Sequence, residues 1–363
     1  MDMKHISLAH QTMFADLIQL SLDAEFDEAF PENGSFTKMK GANGQLFWYY
    51  KGYRRTSSEV ENKRFAKYVG PVADPNVTAR VERFQRVKAG YRERRSLVTS
   101  LIAAGLPSPP PLVGEVVEAL WKAGLFRLHG VLVGTVAFQT YAGLLGVRLR
   151  GAALMTSDVD FAQFHSISLS VDDSIPPVLD TLRQVDRTFR DIADIADSLA
   201  TTRFINASGF KVEFLTPNRS KDEYGAEPAR MPALGGASAQ PLRYLDFLIH
   251  RPVRSVLLHK GSVGVLVPAP ERFAVHKLIL SELRQHDQNG AIKARKDRDQ
   301  AAALIEALRA GSAELDLGFA WLEAWNRGSK WQEHLNAGRS KLPANSGQAL
   351  AAAITAAQAE NHG

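Results

Sequence analysis

The sequence predicts an α/β (α+β) protein: a mixed sheet flanked by helices, with a small basic β unit and a long helix before it and a helical bundle after it. Three observations support this class. Strand, turn and helix patterns alternate between residues 113 and 267, a proline cluster from Pro107 to Pro111 precedes them, and apolar residues recur at helical spacing after Pro268. We therefore expect an N-terminal region at 1–106, a central domain at 113–267, a C-terminal helical domain at 268–345 and a tail at 346–363.

Composition is that of an ordinary globular protein, and it narrows the available chemistry. Hydrophobic residues make up 45% and charged residues 23% of the 363 positions, and there is no cysteine. Thiolate nucleophiles, disulfides and cysteine metal sites are therefore excluded, and any metal is held by oxygen or imidazole. The N-terminus lacks the pattern of a secretory signal, and no apolar run approaches about 18 residues. We expect a cytoplasmic protein with no membrane partner.

The N-terminal region is predicted to contain a short helix, a small β unit and a long helix. Apolar residues at helical spacing mark the first helix, within residues 1–33. Alternating apolar and polar residues around turn signals predict the β unit, from Ser35 to Gly70. An apolar stripe flanked by arginines predicts the long helix, from Asn76 to Ala104.

The same region contains the basic surplus of the chain. Between Gly34 and Arg95 there are 15 Lys or Arg against 5 Asp or Glu, a balance of +10, although the whole chain has a net charge of +5. Aromatic residues lie among these charges, at Trp48, Tyr49, Tyr50, Tyr53 and Tyr68. Such a surface can follow a phosphate backbone and stack unpaired bases. The candidate nucleic-acid-binding residues are Lys51, Arg54, Arg55, Arg64 and Lys67. The alternative, aromatics packed in a small core beneath solvated charges, stays open.

The central domain is predicted to begin with a helix from Val116 to Ala123 and a strand from Phe126 to Val133, followed by a turn and a second helix. Its later elements are a strand from Ser157 to Phe164, a helix with Leu182, Val185, Phe189, Ile192, Ile195 and Leu199 on its apolar face, and hairpins over Arg203 to Leu215 and Ser255 to Val267. The C-terminal helices are expected at Glu271 to Gln285, Ala291 to Arg309 and Phe319 to Leu335. The alanine-rich tail is expected to be peripheral.

Three carboxylates lie on predicted strands whose other residues are apolar. Side chains on a strand alternate between faces, so Asp158 and Asp160 project to one side while Val159 and Phe161 enter the core. Glu213 faces away from its apolar neighbours in the same way. Carboxylates this close repel each other unless a cation lies between them, and hard oxygen ligands suit Mg²⁺ or Mn²⁺. The pattern predicts a metal site, although a lone Asp-x-Asp pair more often marks a turn or a solvated edge.

Two further features accompany the carboxylates. Gly134-Thr135 joins a strand to a helix, where a small residue lets backbone amides and a hydroxyl approach a phosphate. An ordinary strand-to-helix turn is the other explanation. Ser157 lies beside Asp158 without the sequence context of a nucleophile, so we count it only among the candidate nucleotide-binding residues.

The order Gly134-Thr135, Asp158-x-Asp160 and Glu213 resembles the polymerase-β-like nucleotidyltransferase superfamily, which includes bacterial minimal nucleotidyltransferases and toxins of toxin-antitoxin pairs. Residues 267–278 and 293–300 are similar to the paired helices that follow the sheet in those bacterial families. The resemblance covers about 125–308. The turn has Gly-Thr where the family usually has Gly-Ser or Gly-Gly, and 22 residues separate it from the aspartates.

The resemblance implies a fold, a reaction and a set of site residues. The fold is the nucleotidyltransferase mixed sheet, and the reaction moves a nucleoside monophosphate from an NTP such as ATP to an acceptor hydroxyl. Asp158, Asp160 and Glu213 would hold two Mg²⁺ or Mn²⁺ ions. Lys277 would contact the triphosphate, and Lys296 and Asp299 would line the nucleotide pocket.

The basic segment and the resemblance together indicate partners. A basic N-terminal unit favours RNA, such as a tRNA end, as the acceptor, and a protein antitoxin is a further partner. A protein or small-molecule acceptor is the second enzymatic possibility. A catalytically silent fold that binds nucleic acid or a partner protein is the non-enzymatic one. The base of the NTP and the oligomeric state are not determined by the sequence.

Overall fold

The computed structural model describes residues 4–23, 34–40, 44–54, 63–149, 156–170, 173–193, 197, 200–218, 227–284 and 290–361. It has the α/β class predicted above, with a mixed sheet flanked by helices. Within these ranges no helix is both long and apolar enough to cross a membrane.

The N-terminal region contains the predicted elements in the predicted order. They are helix α1 (Leu8–Asp23), the antiparallel strands β1 (Ser35–Lys40), β2 (Leu46–Arg54) and β3 (Lys63–Pro71), and helix α2 (Pro75–Ala103). Trp48 and Tyr50 are buried, and the Trp48 indole N–H donates a 3.1 Å hydrogen bond to Thr78 Oγ1 at the start of α2. Packing of a small core therefore explains two of the five aromatics that the sequence offered for base stacking.

The N-terminal region packs against a hairpin that comes just before the C-terminal helices in the chain. This hairpin consists of β11 (Val253–Leu257) and β12 (Val263–Val267). At its turn the backbone oxygen of Gly261 accepts a 2.8 Å hydrogen bond from Arg94 Nε of α2, and the Ser262 hydroxyl lies 2.6 Å from the Ser21 hydroxyl of α1. A Cβ at Gly261 would lie 2.3 Å from the Tyr91 ring, so only glycine permits this approach.

The central domain is built around a seven-stranded mixed sheet. Its elements are α3 (Pro111–Lys122), β4 (Val131–Val133), α4 (Gly134–Leu144), β5 (Asp158–Ala162), α5 (His165–Ser170), α6 (Val178–Val185), β6 (Arg190–Ala193), β7 (Thr201–Ile205), β8 (Lys211–Pro217), β9 (Ala229–Arg230), β10 (Ser238–Leu242) and α7 (Leu245–Leu248). The strand order is β4-β5-β8-β10-β9, and β7 pairs with both β8 and β6. Strands β5, β8 and β10 are parallel, whereas β4 and β7 are antiparallel to their neighbours.

Two predicted elements of this domain were wrong. The helix expected to run through Leu199 ends at Val185, because the Asp186 carboxylate accepts hydrogen bonds from the Thr188 backbone at 2.9 Å and from its hydroxyl at 2.7 Å. That turn leads into β6, while Ile195 and Leu199 lie outside the described residues. The strand expected from Phe126 is mostly turn and pairs only at 131–133, because His129 adopts a left-handed conformation with φ of 62°.

The C-terminal part is helical throughout. Its helices are α8 (Pro270–Leu283), α9 (Gly290–Ala310), α10 (Glu314–Trp325), α11 (Ser329–Ser340) and α12 (Ala344–Glu360). The single helix expected from Phe319 to Leu335 is two helices, because Gly328 between them has a φ of 125° that interrupts helical geometry. The alanine-rich tail is helix α12 and not peripheral, since it buries Leu350 and packs so closely on α10 that a Cβ at Gly318 would lie 2.2 Å from the Ala353 oxygen.

Candidate active site

Register brings the predicted carboxylates onto one face of the sheet. Asp160 on β5 lies directly opposite Glu213 on β8, and Asp158 lies opposite Lys211. Neighbouring strands are about 4.8 Å apart, so Asp160 and Glu213 project side by side. Both are half-buried, and Asp158 at the start of β5 is exposed. The alternate residues of both strands are buried on the opposite face, where the Phe161 and Phe214 rings stack with centroids 5.7 Å apart.

The Gly134-Thr135 turn lies against the carboxylates. Val133 pairs with Asp160, and helix α4 begins at the next residue. Gly134 has a φ of 70°, and a Cβ there would lie 2.7 Å from the Asp160 Oδ2 atom, so glycine is needed for both conformation and space. Val133 provides no side-chain cap for α4, and the first amides of the helix are therefore suited to an anion. Thr135 is half-buried in that first turn.

The electrostatics at Asp160 favour a bound cation. Burial, followed by repulsion from Asp158 and Glu213, raises the pKa of Asp160 to about 7. Oxygen donors of this kind suit a hard divalent cation. Within the described ranges, however, no group of three or more His, Cys, Asp or Glu side chains lies close enough to form a ready metal site. The Asp158 carboxylate is turned toward Thr156, whose hydroxyl donates a hydrogen bond to it.

A group of cations faces the carboxylates from helices α8 and α9. Helix α8 is fixed beside α4, because the Tyr141 hydroxyl donates a 2.8 Å hydrogen bond to the Pro268 oxygen and its ring packs edge-on against Phe273. Lys277 and Arg284 on this side both act to lower the pKa of Asp160, opposing the effect of burial. Positive charge from α8 therefore acts on the carboxylate cluster.

These cations are held by one acid that the sequence prediction missed. Asp297 on α9 is buried, and its Oδ1 and Oδ2 lie 2.6 Å from Lys277 Nζ and 3.0 Å from Arg284 Nη1. Lys296 is half-buried beside it; burial and Lys277 lower the pKa of Lys296, whereas Asp158 and Asp297 raise it. The structure thus brings Lys277 and Lys296 together near Asp297, with Arg284 beside them.

Two other candidates are placed differently. Asp299 is 71% exposed and pairs at 3.9 Å with Arg295, because two positions along a helix turn it by about 200° away from Asp297. The structure therefore does not bring Asp299 to the cation group. Ser157 is exposed beside Asp158, and its backbone oxygen accepts a 3.0 Å hydrogen bond from the Lys211 amide.

The candidate nucleic-acid-binding residues lie on the N-terminal sheet, apart from these helices. Lys51 on β2 is exposed. Arg54 ends the same strand, and Arg64 and Lys67 occupy β3 at positions opposite Tyr53 and Tyr50. Arg55 lies outside the described residues. Strand register puts these four basic residues in one sheet, and this shared sheet is the support for a basic surface.

A family model described as Nucleotidyltransferase matches residues 111–326, more than half of the chain. Among solved structures, the chain is similar to an antigenic nucleotidyltransferase-like protein from Paracoccidioides brasiliensis, with 14% identity, coverage of 62% of this chain and 92% of that one, and a TM-score of 0.28. That likeness supports no further conclusion. A comparison with curated proteins finds no match.

Proposed function

The chain belongs to the nucleotidyltransferase family whose model it matches over residues 111–326, and from that premise we propose that it moves a nucleoside monophosphate from an NTP to an acceptor hydroxyl in a reaction that requires Mg²⁺ or Mn²⁺. The observation that supports this most is the in-register pairing of Asp160 with Glu213 beside Gly134. A half-buried carboxylate pair at a helix N-terminus has little structural purpose without a cation and an anion to bind.

Different residues would bind the metal and the triphosphate. Asp158, Asp160 and Glu213 would hold the metal, which when bound would neutralise phosphate oxygens and lower the pKa of the acceptor hydroxyl. Lys277, Arg284 and Lys296 would offset the charge of the triphosphate, together with the amides at the start of α4. Because these cations are in position before the substrate binds, they need little reorganisation when charge develops in the transition state.

The chemistry needs no covalent enzyme intermediate. A bond forms between the acceptor oxygen and the α-phosphorus, the bond to the β-phosphate oxygen breaks, pyrophosphate leaves, and the hydroxyl proton passes to solvent. Catalysis then consists of holding the two substrates in line and stabilising the charge on the phosphates.

RNA is the acceptor that we favour, because of the +10 balance between Gly34 and Arg95 and the exposed Lys51. The burial of Trp48 and Tyr50 leaves fewer rings for stacking than the sequence offered, so the contribution of phosphate contacts should exceed that of bases. A cytoplasmic location and a protein antitoxin stay predictions from the sequence.

The proposal is tested by incubating the purified protein with each labelled NTP, total RNA and Mg²⁺, and following the label. Labelled RNA that depends on the metal would support the proposal. Label in protein or in small molecules would keep the reaction and change the acceptor. No transfer from any NTP, together with retained RNA binding, would instead favour the catalytically silent alternative.

A further inference from the structure

Arg203 lies beside the carboxylates, and no sequence pattern singled it out. Arg203 on β7 is directly opposite Glu213 on β8, and Glu213 is directly opposite Asp160 on β5. Residues paired in this way project from the same face of a sheet. Arg203, Glu213 and Asp160 therefore form one row across three strands, with Gly134 at its far end.

Arg203 differs from Lys277 and Arg284, which both pair with Asp297. It is half-buried, and across the described ranges its guanidinium takes part in no hydrogen bond or ion pair. A guanidinium has five donors in a planar fork that fits phosphate oxygens. A parallel row contains two more cations, since Arg190 on β6 and Lys211 on β8 both lie opposite Ile205, and both are exposed.

This cationic group is separate from the one on helices α8 and α9. Helix α8 packs against α4, where the Tyr141 and Phe273 rings meet edge-on, and against α7. Strands β7 and β6 instead lie beyond β8, at the edge away from β5. Strands β5 and β7 are two strand spacings apart, about 10 Å. The carboxylates thus have a second group of cations near them, on the sheet strands, besides the group on α8 and α9.

We propose that Arg203, flanked by Arg190 and Lys211, binds a phosphate of the acceptor next to its reacting hydroxyl. The acceptor is then a phosphate-bearing molecule, either a nucleic-acid end with its last phosphodiester or a small sugar phosphate. The inference rests on the proposed function, because it assigns the second substrate of the same site.

The test uses a tetraribonucleotide with a 5′ fluorophore and a free 3′ hydroxyl, made with either a phosphodiester or a neutral methylphosphonate at the last linkage. Fluorescence anisotropy gives the affinity of the parent, Arg203→Ala, Arg203→Lys and Arg254→Ala. Arg254 is an exposed arginine on β11, in a different sheet, and serves as the control. Binding of a non-hydrolysable NTP with Mg²⁺ is measured on the same proteins, and ribose 5-phosphate is added as a competitor.

We expect the parent to prefer the phosphodiester probe, and Arg203→Ala to bind it about 10- to 100-fold more weakly and without that preference. Arg203→Lys should fall between them, and Arg254→Ala should match the parent. Displacement by ribose 5-phosphate would identify a small acceptor, and its failure would identify a nucleic-acid end.

Three outcomes would overturn the inference: no preference for the phosphodiester in the parent, no binding of either probe or of ribose 5-phosphate, or an equal loss of NTP binding in Arg203→Ala. If the parent still binds the NTP in those cases, the proposed nucleotidyl transfer stands without this acceptor site. Failure of the parent to bind any NTP would count against the proposed function itself.

Discussion

The two cationic groups beside the carboxylates are held in different ways. Lys277 is buried and lies 2.6 Å from Asp297, which also pairs with Arg284. Arg203 is half-buried and has no partner across the described ranges. A fully buried cation needs a compensating charge within the protein, whereas a half-buried one can rely on water until a ligand arrives. Lys277 is therefore part of the folded core, whereas Arg203 can stay hydrated until a ligand binds.

The largest expected effect is at Asp160, the carboxylate between the two groups. Asp160→Asn removes one negative charge without changing shape, so transfer should fall by about 10³-fold or more. The fold should be retained, because burial and the charges of Asp158 and Glu213 already disfavour an ionised Asp160. Labelled-NTP transfer and thermal melting measure the two results. Asp173→Asn, an exposed acid paired with Arg127, is the matched control. Near-normal turnover in Asp160→Asn would mean that the active site lies elsewhere.

The difference in pairing predicts a difference in stability. Asp297→Asn leaves the buried Lys277 ammonium without its counter-charge, and should lower the free energy of unfolding by about 3–5 kcal/mol. Arg203→Ala removes no pairing and should change it by less than about 0.5 kcal/mol. Denaturant unfolding measures both. Asp299→Asn, on the exposed side of the same helix, should behave like the parent. Equal decreases in Asp297→Asn and Arg203→Ala would refute the distinction between the two groups.

The sequence predicted the three carboxylates but not Arg203, for a physical reason. Alternation along a strand is local, so it placed Asp158, Asp160 and Glu213 on the solvent side of their strands. Which strands are neighbours, and in what register, depends on long-range pairing that no local pattern contains. Arg203 was inside a predicted hairpin, but its position opposite Glu213 became visible only with the pairing of β7 and β8.

Other errors had signals that could have corrected them. Ala294, Asp297, Ala301 and Leu304 recur at helical spacing and are all buried, so the apolar stripe of α9 already marked Asp297, rather than Asp299, as the inward acid. The helix expected beyond Val185 was wrong because a short apolar repeat also fits a turn followed by a strand. There an Asp186 side chain bonded to the backbone ended the helix.

The free energy of unfolding should depend on pH through His276, which is buried next to Lys277 on α8. Burial, aided by Lys277 and Arg284, lowers the pKa of His276 from 6.5 to about 3. Below pH 6.5 the unfolded chain takes up this proton first, so the stabilising contribution is complete above that pH and is lost as pH falls toward 3. At pH 5 the decrease in unfolding free energy should be about 2 kcal/mol.

The measurement compares unfolding free energies at pH 7.5 and pH 5 for the parent, His276→Gln and the control His165→Gln. The fall between the two pH values should be about 2 kcal/mol smaller in His276→Gln than in the other two proteins, because glutamine does not titrate. The same fall in all three would show that His276 is not held neutral by its surroundings.

The smallest effect expected for each residue replaced concerns the N-terminal sheet, whose charges lie on other elements than the paired cations of α8 and α9. If the +10 segment binds RNA, affinity should fall with salt, and each neutralised phosphate should contribute about −0.7 to the log-log slope for a single strand. Replacing Arg54, Arg55, Arg64 and Lys67 by Ala should flatten that slope and weaken RNA binding by about 1 kcal/mol or less for each cation removed. NTP binding should be unchanged, because Lys277 and Asp160 belong to other elements.

Neutralising the same number of exposed cations elsewhere, at Lys122, Arg254, Arg309 and Lys330, gives the control for net charge. An equal change of slope in both quadruple variants would mean that overall charge attracts RNA without a defined surface, and an unchanged slope in both would move the acceptor away from nucleic acid.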